Sequence, residues 1–310
     1  MSSGRYPWVP IQQATYNYVI SVGSTVNGPM ENDHNSIPIY DNHIHMDPQG
    51  CGLNAIKEFE AAGGTGLTLV TLPYREVTIS EADDFRRSFK ITLTQASEVR
   101  EHTNLKVNVA VGPYPILLIG LAERFGIEEA ERIMKKGMDI AFDLVSDGKA
   151  NVIGEIGRPH FPVPKEITDA SQRILEYGMD LARQCDCPVM VHCESEEHTM
   201  QWLRTSADSA KLDPGKVIKH LSPPWVSKKE NYGIFPSVVA SRSSIREALG
   251  KGDRFMLETD YIDDPNRPGV VMPITTVPKR IKGLLSSGEM SEELVWKICS
   301  DIPSKMYDRN

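Results

Sequence analysis

From Ile37 onward, short runs of aliphatic and β-branched residues alternate with longer amphipathic stretches, and this alternation constrains the fold more than any other feature. Eight runs qualify as strands: 37–43, 66–72, 105–111, 150–156, 187–192, 215–220, 235–240 and 254–259. Several, such as 66–72 and 187–191, are almost continuously apolar, as parallel strands buried on both faces must be. The stretches between them, including 79–102, 127–146, 166–185 and 195–210, place apolar residues at three- and four-residue steps. Two further helices are expected at about 275–286 and 291–306. Eight strand-helix alternations predict a closed α/β structure, a (β/α)8 TIM barrel, in one domain over 37–310. Residues 1–36, rich in Ser, Asn, Gly and Pro with little periodicity, are expected to form an N-terminal extension.

Composition narrows the partners. The 310 residues carry 34 Lys and Arg against 42 Asp and Glu, a net charge of -8. That balance does not favour a surface built to hold a phosphate backbone, so a small-molecule substrate is expected before nucleic acid. No run of apolar residues is long enough for a membrane span, and the start lacks the basic and apolar regions of a signal peptide. Five scattered cysteines, odd in number, fit reduced thiols, and a cytoplasmic location is expected.

In barrels of this kind the working residues stand at the C-terminal ends of strands. His43 and His45 lie at the end of the first predicted strand, Glu155 at the fourth, His192 at the fifth and His220 at the sixth, while Asp260 follows the eighth. Side chains two apart on a strand share a face, so His43 and His45 can grip one ion. Four imidazoles and two carboxylates make six nitrogen and oxygen ligands. Those suffice for two divalent ions, zinc first, with manganese, iron, cobalt or nickel also suited. Six such residues at the ends of five different strands are hard to explain as packing, because buried polar groups without partners cost several kcal/mol.

The order HxH, Glu, His, His, Asp resembles the amidohydrolase superfamily of metal-dependent hydrolases. The segments Asp41-Asn-His-Ile-His45, Ile153-Gly-Glu-Ile-Gly157, Pro188-Val-Met-Val-His192 and Leu257-Glu-Thr-Asp260 look like its TatD-related branch. The resemblance implies that His43 and His45 with Asp260 hold the more buried ion, that His192 and His220 hold the other, and that Glu155 bridges them. It also implies a metal-activated water as nucleophile, with Asp260 as the catalytic group that takes its proton. The bond cut could be a phosphoester, ester, lactone or amide. A TatD-type deoxyribonuclease and a non-catalytic metal- or ligand-binding barrel are the alternatives.

Loop residues just past the strand ends are candidates for substrate contact, chiefly Arg158, His160 and Glu194, then His198, Tyr261 and Arg267. Glu258 shares a face with Asp260 and Asp41 with His43, so either could orient a neighbouring imidazole. Where the family commonly carries His, a small residue and Arg, this chain has His192-Cys193-Glu194, which weakens phosphate recognition. Its His220-Leu-Ser-Pro-Pro-Trp225 segment also departs from the pattern, and loop 221–233, with Trp225 and Tyr232, is expected to form part of a lid.

Overall fold

The computed structural model describes residues 37–308. The extension expected over 1–36 lies outside the described residues. All eight predicted runs form strands: β1 Tyr40–His45, β2 Gly66–Val70, β3 Lys106–Val111, β4 Val152–Gly157, β5 Val189–His192, β6 Val217–Ser222, β7 Phe235–Val239 and β8 Met256–Glu258. A ninth, β9 Tyr261–Ile262, was not anticipated, since two residues are too short to display a period. Every pairing is parallel, and the strands run in the order β8-β7-β6-β5-β4-β3-β2-β1-β9.

Closure follows from that order. β9 begins three residues after β8 ends and pairs with β1, Ile44 opposite Tyr261 and His45 opposite Ile262. The sheet that starts at β1 therefore returns to it, giving a (β/α)8 barrel. At the seam between β8 and β1, the buried carboxylate of Asp41 accepts the Thr259 N–H at 3.1 Å and the Thr259 hydroxyl at 2.8 Å.

Alternation along the strands sorts the core into two layers. Val70, Ala110, Val152, Met190, Ile218 and Val238, one from each of six neighbouring strands, belong to one buried cluster. Their neighbours Leu69, Val109, Ile153 and Val191 pack instead with Phe85, Phe89, Met134 and Ile174 from the helices. The first set fills the barrel and the second seals the helices onto it. Helix Ala82–His102 starts at a capping box in which Glu81 and Asp84 satisfy each other's backbone N–H groups. Helices Ile127–Ser146, Lys165–Gln184, Thr199–Ser209 and Thr276–Ser286 form within a few residues of the predicted ranges. The last predicted helix is divided, Glu292–Trp296 and Ile302–Tyr307 being joined by a wider turn. No described helix is long and apolar enough to cross a membrane.

Candidate metal centre

Three departures from regular strand pairing lie where the barrel presents its polar residues. The register shifts between Asp41 and Ile44 in β1, between Gly154 and Ile156 in β4, and between Lys219 and Ser222 in β6. Such irregularities re-aim side chains at barrel rims. The shift in β4 has a clear effect: Ile153 and Ile156 both pack toward the helices, and Glu155 between them is turned to the histidines. Asp260 sits between β8 and β9 with φ +49, a left-handed conformation that a residue with a Cβ adopts only when its surroundings hold it there.

The six residues expected to gather do so. His43, His45, Glu155, His220 and Asp260 are buried, and His192 is partly buried. His43 Nε2 lies 3.0 Å from His45 Nε2, 3.8 Å from Glu155 Oε2 and 3.7 Å from Asp260 Oδ1. His45 Nε2 lies 3.9 Å from the same Glu155 oxygen and 3.6 Å from the same Asp260 oxygen. The other Glu155 oxygen, Oε1, faces His220 Nε2 at 3.2 Å and is hydrogen-bonded to His192 Nδ1. Three overlapping sets, His43/His45/Glu155, His43/His220/Asp260 and Glu155/His192/His220, each bring their donor atoms within 4.8 Å of one another. Donors about 2.0–2.1 Å from a tetrahedral ion lie roughly 3.3 Å apart, so spacings of 3.0 to 3.9 Å fit a cation without major rearrangement.

Burial and the neighbouring charges both act on the buried groups of the cluster. Burial, reinforced by the neighbouring His220 and His45, pushes the His43 imidazole well below its ordinary range. Burial would raise Glu155, but His192 and His220 hold it well below the usual carboxylate range. Burial would lower His220, but Glu155 and Glu258 hold it well above. Asp260 is pushed well above by burial, with Glu258 and Glu155 adding to the effect.

The backs of the rings are held. His45 Nδ1 contacts the Val70 carbonyl at 3.0 Å, and His220 Nδ1 contacts Glu258 Oε1 at 3.0 Å, so each presents Nε2 to the centre. Glu258, fully buried, also accepts the Leu221 N–H at 2.5 Å and the Ser237 hydroxyl, and so acts on His220 as its position in the sequence suggested. Asp41 touches His43 through that residue's backbone N–H, at 3.2 Å, and not through the ring.

The expected substrate contacts are spread differently. Arg158 and Glu194 form a two-pronged ion pair with each other, and the guanidinium lies 3.5 Å over the Trp202 ring of helix Thr199–Ser209. The Arg158 charge is thus compensated on the helical side of β5. His160 reaches the centre: its Nδ1 is 2.8 Å from His192 Nε2. His198 is the residue before helix Thr199–Ser209, the Tyr261 hydroxyl donates to Asp263 at 3.1 Å, and Arg267 pairs with Asp264 at 2.8 Å.

Two residues near the centre escaped the sequence reading. Tyr114, in the Gly112-Pro113-Tyr114 turn after β3, sets its ring 5.1 Å from His192, and Glu155 and Asp260 add to the upward push that burial gives its hydroxyl. The rule that found the histidines, a polar group just past a strand end, applies to it equally. Asp263 accepts the N–H groups of Cys51 at 2.8 Å and Gly52 at 2.7 Å, fixing the loop that follows β1. Gly50 lies so close to that carboxylate that a Cβ would fall 2.4 Å from it.

Residues 40–308 match the model of the family described as TatD related DNase. The chain is 36% identical over 277 residues to the uncharacterized protein MJ1127 of Methanocaldococcus jannaschii, covering 88% of this chain and 96% of that one. Among solved structures it resembles a TatD-like protein from Archaeoglobus fulgidus, with TM-score 0.56, 17% identity, and coverage of 86% of this chain and 98% of that one. It also resembles an organophosphorus hydrolase from Deinococcus radiodurans, with TM-score 0.56, 16% identity, and coverage of 87% and 92%. At such identities the two structures speak for the barrel alone. The family match over nearly all described residues, joined to the histidine and carboxylate cluster at the strand ends, places this chain in the TatD-related DNase family.

Proposed function

We propose that the protein is a binuclear metal-dependent hydrolase acting on a small, uncharged substrate such as an ester, a lactone or a phosphotriester. One observation carries this reading: the two oxygens of Glu155 face different histidine pairs, Oε2 toward His43 and His45 and Oε1 toward His192 and His220. A carboxylate so placed suits a bridge between two cations. His43, His45 and Asp260 would hold one, His192 and His220 the other. Imidazole and carboxylate donors suit zinc first, then manganese, iron, cobalt or nickel.

Two such ions, when bound, supply Lewis acidity and lower the pKa of a water from about 15.7 to near 7. The chain's own residues do the rest. Asp260, buried beside His43 and His45, is placed to take a proton from a water and return it to a leaving group. Glu155, held low by His192 and His220, stays ionised. Tyr114, whose hydroxyl burial and the same carboxylates keep protonated, can donate a hydrogen bond to a substrate oxygen.

The preference for an uncharged substrate is supported by the cations around the barrel mouth. Arg158 is paired with Glu194, and both Arg75 and Arg267 face Asp264. A phosphodiester would gain little from guanidinium groups already compensated. The second reading, a nuclease, is favoured by the family's description. Five cysteines in odd number support a reducing, cytoplasmic setting.

The test is a panel assayed with each divalent metal: p-nitrophenyl acetate, a γ-lactone, a phosphotriester, bis-p-nitrophenyl phosphate and single-stranded DNA. Turnover of a neutral substrate without DNA cleavage supports the proposal. Efficient DNA cleavage with no neutral turnover replaces it with the nuclease reading. Metal-loaded protein that turns over none of them contradicts catalysis.

A further inference from the structure

His192 is held in the opposite sense to the other histidines whose two ring nitrogens are engaged. His45 and His220 present Nε2 to the centre and have an acceptor at Nδ1. His192 presents Nδ1 to Glu155, leaving Nε2 directed at His160 Nδ1, 2.8 Å away. A neutral imidazole carries one N–H, and a close nitrogen-nitrogen contact requires one ring to donate and the other to accept. If Nδ1 of His192 is to offer its lone pair to a cation, its proton must sit on Nε2. His160 Nδ1 must then accept, with the His160 proton on its own Nε2. No other pairing of neutral tautomers both satisfies the contact and leaves His192 able to bind a cation.

We propose that His160 is a positioning residue for the second cation, fixing the tautomer and the angle of the His192 ring; this rests on the binuclear reading above. Three further contacts favour a built arrangement over a chance one. The Arg158 N–H donates to the His192 carbonyl at 3.0 Å, tying the segment after β4 to the end of β5. Phe161 sets its ring edge-on to His160 at 5.2 Å, and Tyr114 sets its ring edge-on to His192 at 5.1 Å. Both imidazoles are therefore held from a side as well as end to end. His160 itself is exposed, so its substitution leaves the core intact.

The experiment measures metal binding, not turnover. Metal-free full-length protein is titrated with zinc against a chromophoric chelator, and with cobalt while its visible absorption is followed. Three chains are compared: wild type, His160→Phe, which keeps a ring but has no acceptor, and His160→Asn, whose side-chain oxygen can take the place of Nδ1. Wild type should bind two equivalents. In His160→Phe the first should be unchanged and the second weakened about 10- to 100-fold, while His160→Asn should stay within about threefold of wild type. Wild-type affinity for both ions in His160→Phe would overturn the proposal, as would a loss in His160→Asn equal to that in His160→Phe. Fewer than two equivalents in wild type would instead remove the binuclear reading, and this role with it.

Discussion

Replacing Thr259 with valine tests how the barrel seam presents Asp260. Valine has the shape of threonine, so no cavity opens, and only the hydroxyl's hydrogen bonds are lost. That hydroxyl donates to Asp41 at 2.8 Å and accepts the Tyr261 N–H at 3.2 Å, so it links β1 to the residues on either side of Asp260. A hydrogen bond to a charged group contributes about 1.5–3 kcal/mol and a neutral one about 0.5–1.5, so Thr259→Val should cost roughly 2–4 kcal/mol. For a chain of 310 residues, at about 2.1 cal/mol/K of unfolding entropy per residue, that corresponds to a fall in Tm of roughly 3–6 °C. Melting should be followed by calorimetry at pH 8, above the value of about 7 to which burial pushes Asp41, so that its carboxylate is charged. Zinc affinity measured on the same samples should fall too, because Asp260 holds its left-handed conformation between the two tied residues. Thr259→Ser should recover most of both losses. If Thr259→Val melts within about 1 °C of wild type, or the serine variant is no better than valine, the seam does not hold Asp260.

Other outcomes follow from the same contacts. In the metal-free protein, Asp41 titrates near 7 when folded against 3.8 ordinarily, so the folded state keeps a proton that the unfolded chain has released. Its contribution to stability is full below about pH 4 and is lost as pH rises through about 7, and Asp41→Asn should flatten that part of a denaturation-versus-pH curve. Glu258→Gln keeps the volume but weakens the acceptor for His220 Nδ1 and the Leu221 N–H, and chelator competition should show metal affinity reduced about 10- to 100-fold. Tyr114→Phe should leave metal content and Tm unchanged while lowering kcat/KM about tenfold, the effect of one lost hydrogen bond, with activity on the best neutral substrate as the readout.

The barrel was legible because parallel strands buried on both faces must be apolar throughout, and runs such as 66–72 and 187–191 stand out from the amphipathic stretches around them. The cluster was legible because strand-end position is itself a structural coordinate: His43, His192 and His220 need only their strands identified to be placed in one cavity. What stayed hidden depends on departures from regularity or on contacts between distant residues. Simple alternation sends Glu155 to the same side as Ile153, and the register shift beside Gly154 that turns it inward leaves no mark in the pattern. The Asp41-Thr259 tie spans 218 residues, and no local spacing announces it. Arg158 and Glu194 were well placed by position to meet substrate, yet a carboxylate, a guanidinium and the Trp202 face suit one another, and the pair forms on the helical side of the strand. His160 stood among the same loop candidates, and only the direction of its ring distinguishes a group that touches His192 from one that faces solvent.

The proposed chemistry requires Glu155 to lie between two cations. Crystals of metal-loaded protein, measured on both sides of the zinc absorption edge, test this directly. Two anomalous peaks should flank Glu155, one beside His43, His45 and Asp260 and the other beside His192 and His220, with elemental analysis giving two equivalents. A single peak, or two peaks in a Glu155→Ala variant as strong as in wild type, would contradict it.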